Sequence, residues 1–236
     1  MHQNWTDQHA KQLKNKKEEL ENLPRFEYPF DEKLKRYLDE LDQETIPIFS
    51  YGSLLNYESA QRSVSEQTLE TMEPAVGFGL KRVFNRDVDI SGSNKYNQDH
   101  PKERGMLNVD YTESFSDLIN GIIMNITKEE IENICIREEG YDLVPIFNIH
   151  WDILTDEKIQ NYQEAHISTS YTFYAPPEKR QGEIPVDESI FPIKQYYKLV
   201  KDGAKRYGDE FLDLWVDTTF LADKETNVKE WEEKLN

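Results

Sequence analysis

At 236 residues the chain is long enough for one sizeable domain without disulfide or metal staples, and 37% hydrophobic, 12% aromatic and 31% charged residues suit a soluble globular protein rather than a disordered one. A formal net charge of −18 repels phosphate backbones and anionic bilayers, so neither nucleic acid nor a membrane is an expected partner. The N-terminal "MHQNWTDQHAKQLKNKKEEL" has no apolar leader, no run approaches the roughly 20 apolar residues that span a bilayer, and Cys135 is the single cysteine; the expected location is the reducing cytoplasm.

Residues 6–22 are strongly charged with sparse apolar positions (Ala10, Leu13, Leu20), so a helix there would be mostly solvated or would lie across the domain, and the segment reads as an accessory arm. In "DEKLKRYLDELDQE", Leu34, Tyr37, Leu38 and Leu41 fall on one helical stripe, so residues 1–44 are expected to form a helical N-terminal extension. Ile46-Pro47-Ile48-Phe49 reads as a short buried strand that breaks at Tyr51-Gly52-Ser53, after which Asn56 caps a helix over 57–64. Further strands are predicted at 75–85, 105–111, 120–126, 143–149 and 168–175, all rich in β-branched and aromatic residues. Such a set predicts an α+β fold whose mixed, largely antiparallel sheet can close as a β-barrel with flanking helices.

Between 120–126 and 143–149, Thr127 and Glu130 make a capping box, Ile131, Ile134 and Cys135 form an apolar face, and Gly140 ends the helix. Residues 91–104 are polar and read as an exposed loop. Pro192, placed in a first turn, leads the helix "IKQYYKLVKDGAKRY" to Gly208. "DEFLDLWVDTTFL" then continues a C-terminal helical extension (211–236) packing on the main domain (45–210), and the charged tail "TNVKEWEEKLN" is expected at the surface.

The five histidines (2, 9, 100, 150 and 166) show no metal-ligand spacing, so a metal enzyme is not indicated, and no phosphate-binding glycine loop or nucleophile elbow is present. Cys135 lies on the buried helical stripe and reads as a packed thiol. Two features remain. In Tyr51-Gly52-Ser53-Leu54-Leu55 a strand runs into a turn before a helix; this is either a plain link or a nest of backbone N–H groups that holds an anion. Glu138 follows Ile131 by seven residues and Ile134 by four, so it continues the buried face, whereas Glu139 turns about 100° away. Burial and the negative helix end would raise its pKa, as suits a general base; alternatively Arg137 neutralises it, or the helix frays and leaves it wet.

In order, "YGSLL" (51–55), "GFGLKRVFN" (77–85), "ICIREEGYD" (134–142) and, less closely, "FPIKQYYKLVKDGAKRYG" (191–208) resemble segments of the γ-glutamylcyclotransferase-like superfamily. This superfamily includes γ-glutamylcyclotransferase, γ-glutamylamine cyclotransferase and the glutathione-degrading ChaC enzymes. The chain departs from the pattern at Cys135, where the family has aspartate, and at Leu54, where the cyclotransferase loop has asparagine.

The resemblance implies an enzyme without a cofactor that acts on a small-molecule γ-glutamyl substrate. The substrate's own α-amine attacks its γ-carbonyl, closing 5-oxoproline and expelling an amine or amino acid. Carried across by position, the general base/acid falls on Glu138. The backbone amides of Gly52, Ser53, Leu54 and Leu55 would hold the substrate, Tyr51 and Tyr141 would wall the pocket, and Arg82 and Arg86 are candidates for a substrate carboxylate. A non-catalytic member that binds a ligand or a protein is the competing expectation. The leaving group (amino acid, amine, lysine ε-amine or cysteinylglycine) and the oligomeric state stay open.

Overall fold

The computed structural model describes residues 13–88, 102–112, 114–152, 167–177 and 186–235. Five strands close into a barrel in the order β1 (Thr45–Ser50), β5 (Leu118–Thr127), β2 (Glu73–Phe78), β6 (Asp142–His150), β7 (Ser168–Tyr174). Every junction is antiparallel except the short parallel contact that returns β7 to β1 at Ile48 and Tyr171. A second sheet runs β8 (Phe191–Pro192), β4 (Glu103–Tyr111), β3 (Leu80–Asp87), β9 (Thr219–Leu221). The mixed, largely antiparallel α+β barrel expected from strand spacing is thus present.

The run 75–85, expected as one strand, is two. Gly79, at φ +72°, carries the chain out of the barrel and into the second sheet, a backbone conformation that a side-chain-bearing residue rarely adopts. Buried polar ties lock the two sheets together. Asn108 on β4 donates to the Ala175 carbonyl at 2.9 Å and accepts from the Ala175 N–H at 2.8 Å. Arg82 on β3, fully buried, donates to the Asn120 carbonyl and side chain on β5 and to Thr219 Oγ1 at 3.2 Å. Burial pulls its pKa down to about 9, and among the described residues no carboxylate is paired with it.

Of residues 13–22 in the N-terminal arm only Leu13 is buried, in keeping with a mostly solvated segment. Residues 6–12 lie outside the described residues, but Leu13 is fully buried ahead of α1 (Lys17–Glu21). Phe26 then exchanges backbone hydrogen bonds of 3.0 and 2.9 Å with Leu143 on β6, and the Tyr28 N–H donates to Asp142 at 2.9 Å. The next helix, α2 (Glu32–Glu40), is capped by Asp31 and buries Leu34 and Leu38, two residues of the predicted stripe.

After β1, one 3-10 turn (Ser53–Leu55) leads to α3 (Tyr57–Ala60), which Asn56 caps as expected, though it is shorter than 57–64. A second short helix, α4 (Glu66–Leu69), begins at Ser65. The capping box closes as predicted, with Thr127 N–H to Glu130 at 3.2 Å and Glu130 N–H to Thr127 at 3.3 Å, ahead of α5 (Ile131–Arg137). Residues 91–101 of the predicted loop lie outside the described residues, and Glu103 and Arg104 open β4.

Pro192 belongs to β8 rather than to the helix that follows, α6 (Lys194–Lys205). In the run 209–221, α7 (Asp209–Asp217) stops before β9, which pairs parallel with β3. The tail is not wholly at the surface: α8 (Val228–Leu235) buries Val228 and Trp231, whose ring meets Tyr197 at 5.1 Å. Among the described residues no helix is long and apolar enough to cross a membrane.

Candidate active site

Where the open end of β1 meets the second sheet, a cavity of about 330 Å³ is bounded by Tyr51–Leu54, Arg86, Leu107, Arg137–Glu139, Tyr141 and Tyr196, a size suited to a small metabolite. One wall is the 3-10 turn. Its first N–H groups have no partner within the turn, and those of Gly52, Ser53 and Leu54 meet no acceptor among the described residues. Leu55 differs: its N–H donates to the Gly52 carbonyl at 3.0 Å and its side chain is fully buried away from the cavity, so its amide is not offered to a ligand.

Gly52 does not supply a positive φ; its φ is −118°. What it supplies is room, because a Cβ there would stand 3.1 Å from the Tyr196 hydroxyl. Closer still, a Cβ on Gly203 of α6 would lie 2.7 Å from the Asn56 backbone nitrogen, so this helix is pressed directly onto the turn. The "YGSLL" and "YYKLVKDGA" segments therefore form one packing unit.

Glu138 caps the C-terminus of α5 and lines the cavity, its side chain 17% exposed, while the exposed Glu139 stands at the rim. Burial raises the Glu138 pKa, opposed by Arg137 and Arg86. Arg137 Nε lies 3.4 Å from the Glu138 carboxylate. The same guanidinium donates to Ser53 Oγ at 2.8 Å, Ser59 Oγ at 2.7 Å, Ser59 O at 2.6 Å and Ser63 Oγ at 3.1 Å. One side chain thus binds the carboxylate's helix to the turn. The ion pair anticipated as a rival reading is present, and the cavity stays open beside it.

The phenols of Tyr51 and Tyr141 are both buried and fixed, donating to the carbonyls of Phe173 on β7 (2.7 Å) and Leu107 on β4 (2.6 Å). Burial raises both pKa values, keeping these groups neutral. Arg86 lies 4.0 Å over the Tyr141 ring and donates to the Glu139 carbonyl. Gly140, at φ +77°, makes this possible, since a Cβ there would meet the Arg86 guanidinium at 2.8 Å.

Of the two arginines read as carboxylate candidates, Arg86 lines the cavity and Arg82 does not; the latter is spent tying the sheets together. Tyr196, Arg137 as a tether, and Arg62 at the rim were not singled out from the sequence. Tyr196 lies within the C-terminal resemblance and Arg137 within the segment 134–142, where it reads as a neutralising cation rather than as a tether; Arg62 carries no signal there. Cys135 is buried and its thiol is pushed up to about 12 by burial, as befits a packed thiol. Among the described residues no group of three or more His, Cys, Asp or Glu converges as metal ligands would.

No family model and no curated protein matches the sequence. Solved structures do. YkqA from Bacillus subtilis is 14% identical with a TM-score of 0.50, covering 76% of this chain and 55% of its own, so the present chain spans about half its length. A structure named gamma-glutamyl cyclotransferase is 15% identical at a TM-score of 0.49, covering 73% and 86% of the two chains. The uncharacterized protein loc79017 from Homo sapiens is 17% identical at 0.49, covering 73% and 87%. At such identities the likeness concerns architecture. The closed five-stranded barrel, the second sheet and the flanking helices make up the fold over which this chain is similar to YkqA.

Proposed function

We propose that the chain is a γ-glutamylcyclotransferase-like enzyme that converts a γ-glutamyl compound to 5-oxoproline with release of an amine or amino acid. The observation that carries this reading is the meeting, in one cavity, of the mostly buried Glu138 carboxylate with the unpaired amides of Gly52, Ser53 and Leu54. Glu138 accepts a proton from the substrate's α-ammonium, the freed amine attacks the γ-carbonyl carbon, and the C–N bond to the leaving group breaks as Glu138 returns that proton to the departing nitrogen; the second proton, shed by the ring nitrogen as it becomes the lactam N–H, passes over the same carboxylate to the released amine, which leaves as an ammonium. The nucleophile belongs to the substrate, so the protein has only to fold it into an attacking shape and to hold its carboxylate on the turn amides. Tyr51, Tyr141 and Tyr196 pack the folded chain and exclude water.

Glu138→Gln keeps the shape and removes the proton acceptor; 5-oxoproline release from a panel of γ-glutamyl compounds should fall at least about a hundredfold. Unchanged turnover by the folded variant would remove Glu138 from the mechanism. A second reading, a pocket that binds a γ-glutamyl-like ligand or a protein without turnover, is favoured by Arg137 at 3.4 Å, because a carboxylate held by a cation is a weaker base. Ligand binding by the wild type with no 5-oxoproline from any member of the panel would select it.

A further inference from the structure

Although the chain carries a net charge of −18, the side chains around this cavity sum the other way: Arg62, Arg86 and Arg137 against Glu138 and Glu139, three positive charges to two negative. Four of the five have their work in the protein. Arg86 is buried on the Tyr141 ring, Arg137 holds the serines and Glu138, and Glu139 accepts from the Tyr28 hydroxyl at 3.4 Å. Arg62 is exposed at the rim and makes no ion pair or hydrogen bond among the described residues.

Building on the reading of the site given above, we propose that Arg62 recognises a carboxylate on the leaving group, so that the substrates are γ-glutamyl derivatives of α-amino acids or peptides with a free C-terminal carboxylate rather than γ-glutamyl amines. The γ-glutamyl head is a zwitterion. Its ammonium goes to Glu138 and its carboxylate to the turn amides, which uses up the enclosed part of the cavity and sends the γ-amide substituent toward the opening between Arg62 and Glu139. A neutral head leaves the rim's surplus positive charge unbalanced, and one carboxylate on the leaving group balances it. A leaving amine without a carboxylate, or a lysine whose charges cancel, does not.

The test compares γ-glutamyl-alanine with γ-glutamyl-alaninamide, which differ only in that carboxylate, by 5-oxoproline release. For the wild type the acid should be favoured about tenfold in kcat/KM, carried mainly by KM, as a charge-assisted arginine contact provides. In Arg62→Gln that ratio should collapse toward one, Arg62→Lys should recover part of it, and high salt should shrink it in the wild type, because the contact is exposed. Equal turnover of the two compounds by the wild type, or an unchanged ratio in Arg62→Gln, would overturn the role of Arg62 while leaving the cyclotransferase reading intact. Release from neither compound would overturn both.

Discussion

Arg137 and Glu138 are neighbours in sequence with opposed effects on one proton. Burial pushes the Glu138 carboxyl above the ordinary carboxylate range and Arg137 pulls it back. A base must be ionised to act, so the acidic limb of kcat/KM should lie above the usual glutamate pKa of about 4.3, with activity falling as pH drops through it. Arg137→Gln removes the opposing cation, and a pH–rate profile should show this limb displaced further upward; a limb that stays put would mean that Arg137 does not tune the carboxylate. The place of Glu138 on the cavity wall was legible in the sequence, because helical period and family pattern selected the same residue. The work of Arg137 was not, since its partners Ser53, Ser59 and Ser63 lie 84, 78 and 74 positions away and no local pattern announces them. Arg82 misled for the same reason: a strand arginine looks alike whether it faces a ligand or, as here, Asn120 and Thr219.

Elements were readable wherever one local signal dominated. The capping box of Thr127 and Glu130 and the stripe of Leu34 and Leu38 appear as expected. Expectation failed where tertiary contact decides. Gly79 divides a continuous apolar run because the chain must change sheets there, and the charged tail hides Trp231 because Tyr197 offers it a ring to pack on. The press of α6 on the 3-10 turn gives a test of sign. In a free helix interior Gly203→Ala should stabilise by about 1 kcal/mol. Here the new methyl would stand 2.7 Å from the Asn56 nitrogen, so the variant should lose about 1–3 kcal/mol in denaturant unfolding and also lose cyclising activity as the turn shifts. A more stable variant would show that the turn yields freely.

Across the whole molecule, the site is assembled from distant parts of the chain: β1 and its turn, β3, β4, the end of α5 and α6, brought together by a barrel and a second sheet tied through Asn108, Asn120 and Arg82. The N-terminal arm joins this assembly from outside, through the paired hydrogen bonds of Phe26 with Leu143 two residues beyond Tyr141. Leu143 takes its amide partner from the arm, so deuterium uptake at that one amide measures how often the arm lets go. Phe26→Ala should speed that uptake more than uptake at the β1–β5 ladder. In the wild type, a γ-glutamyl compound that steadies the stretch from Glu138 to Tyr141 should slow it, making the amide of Leu143 a clock for events in a cavity that it does not touch.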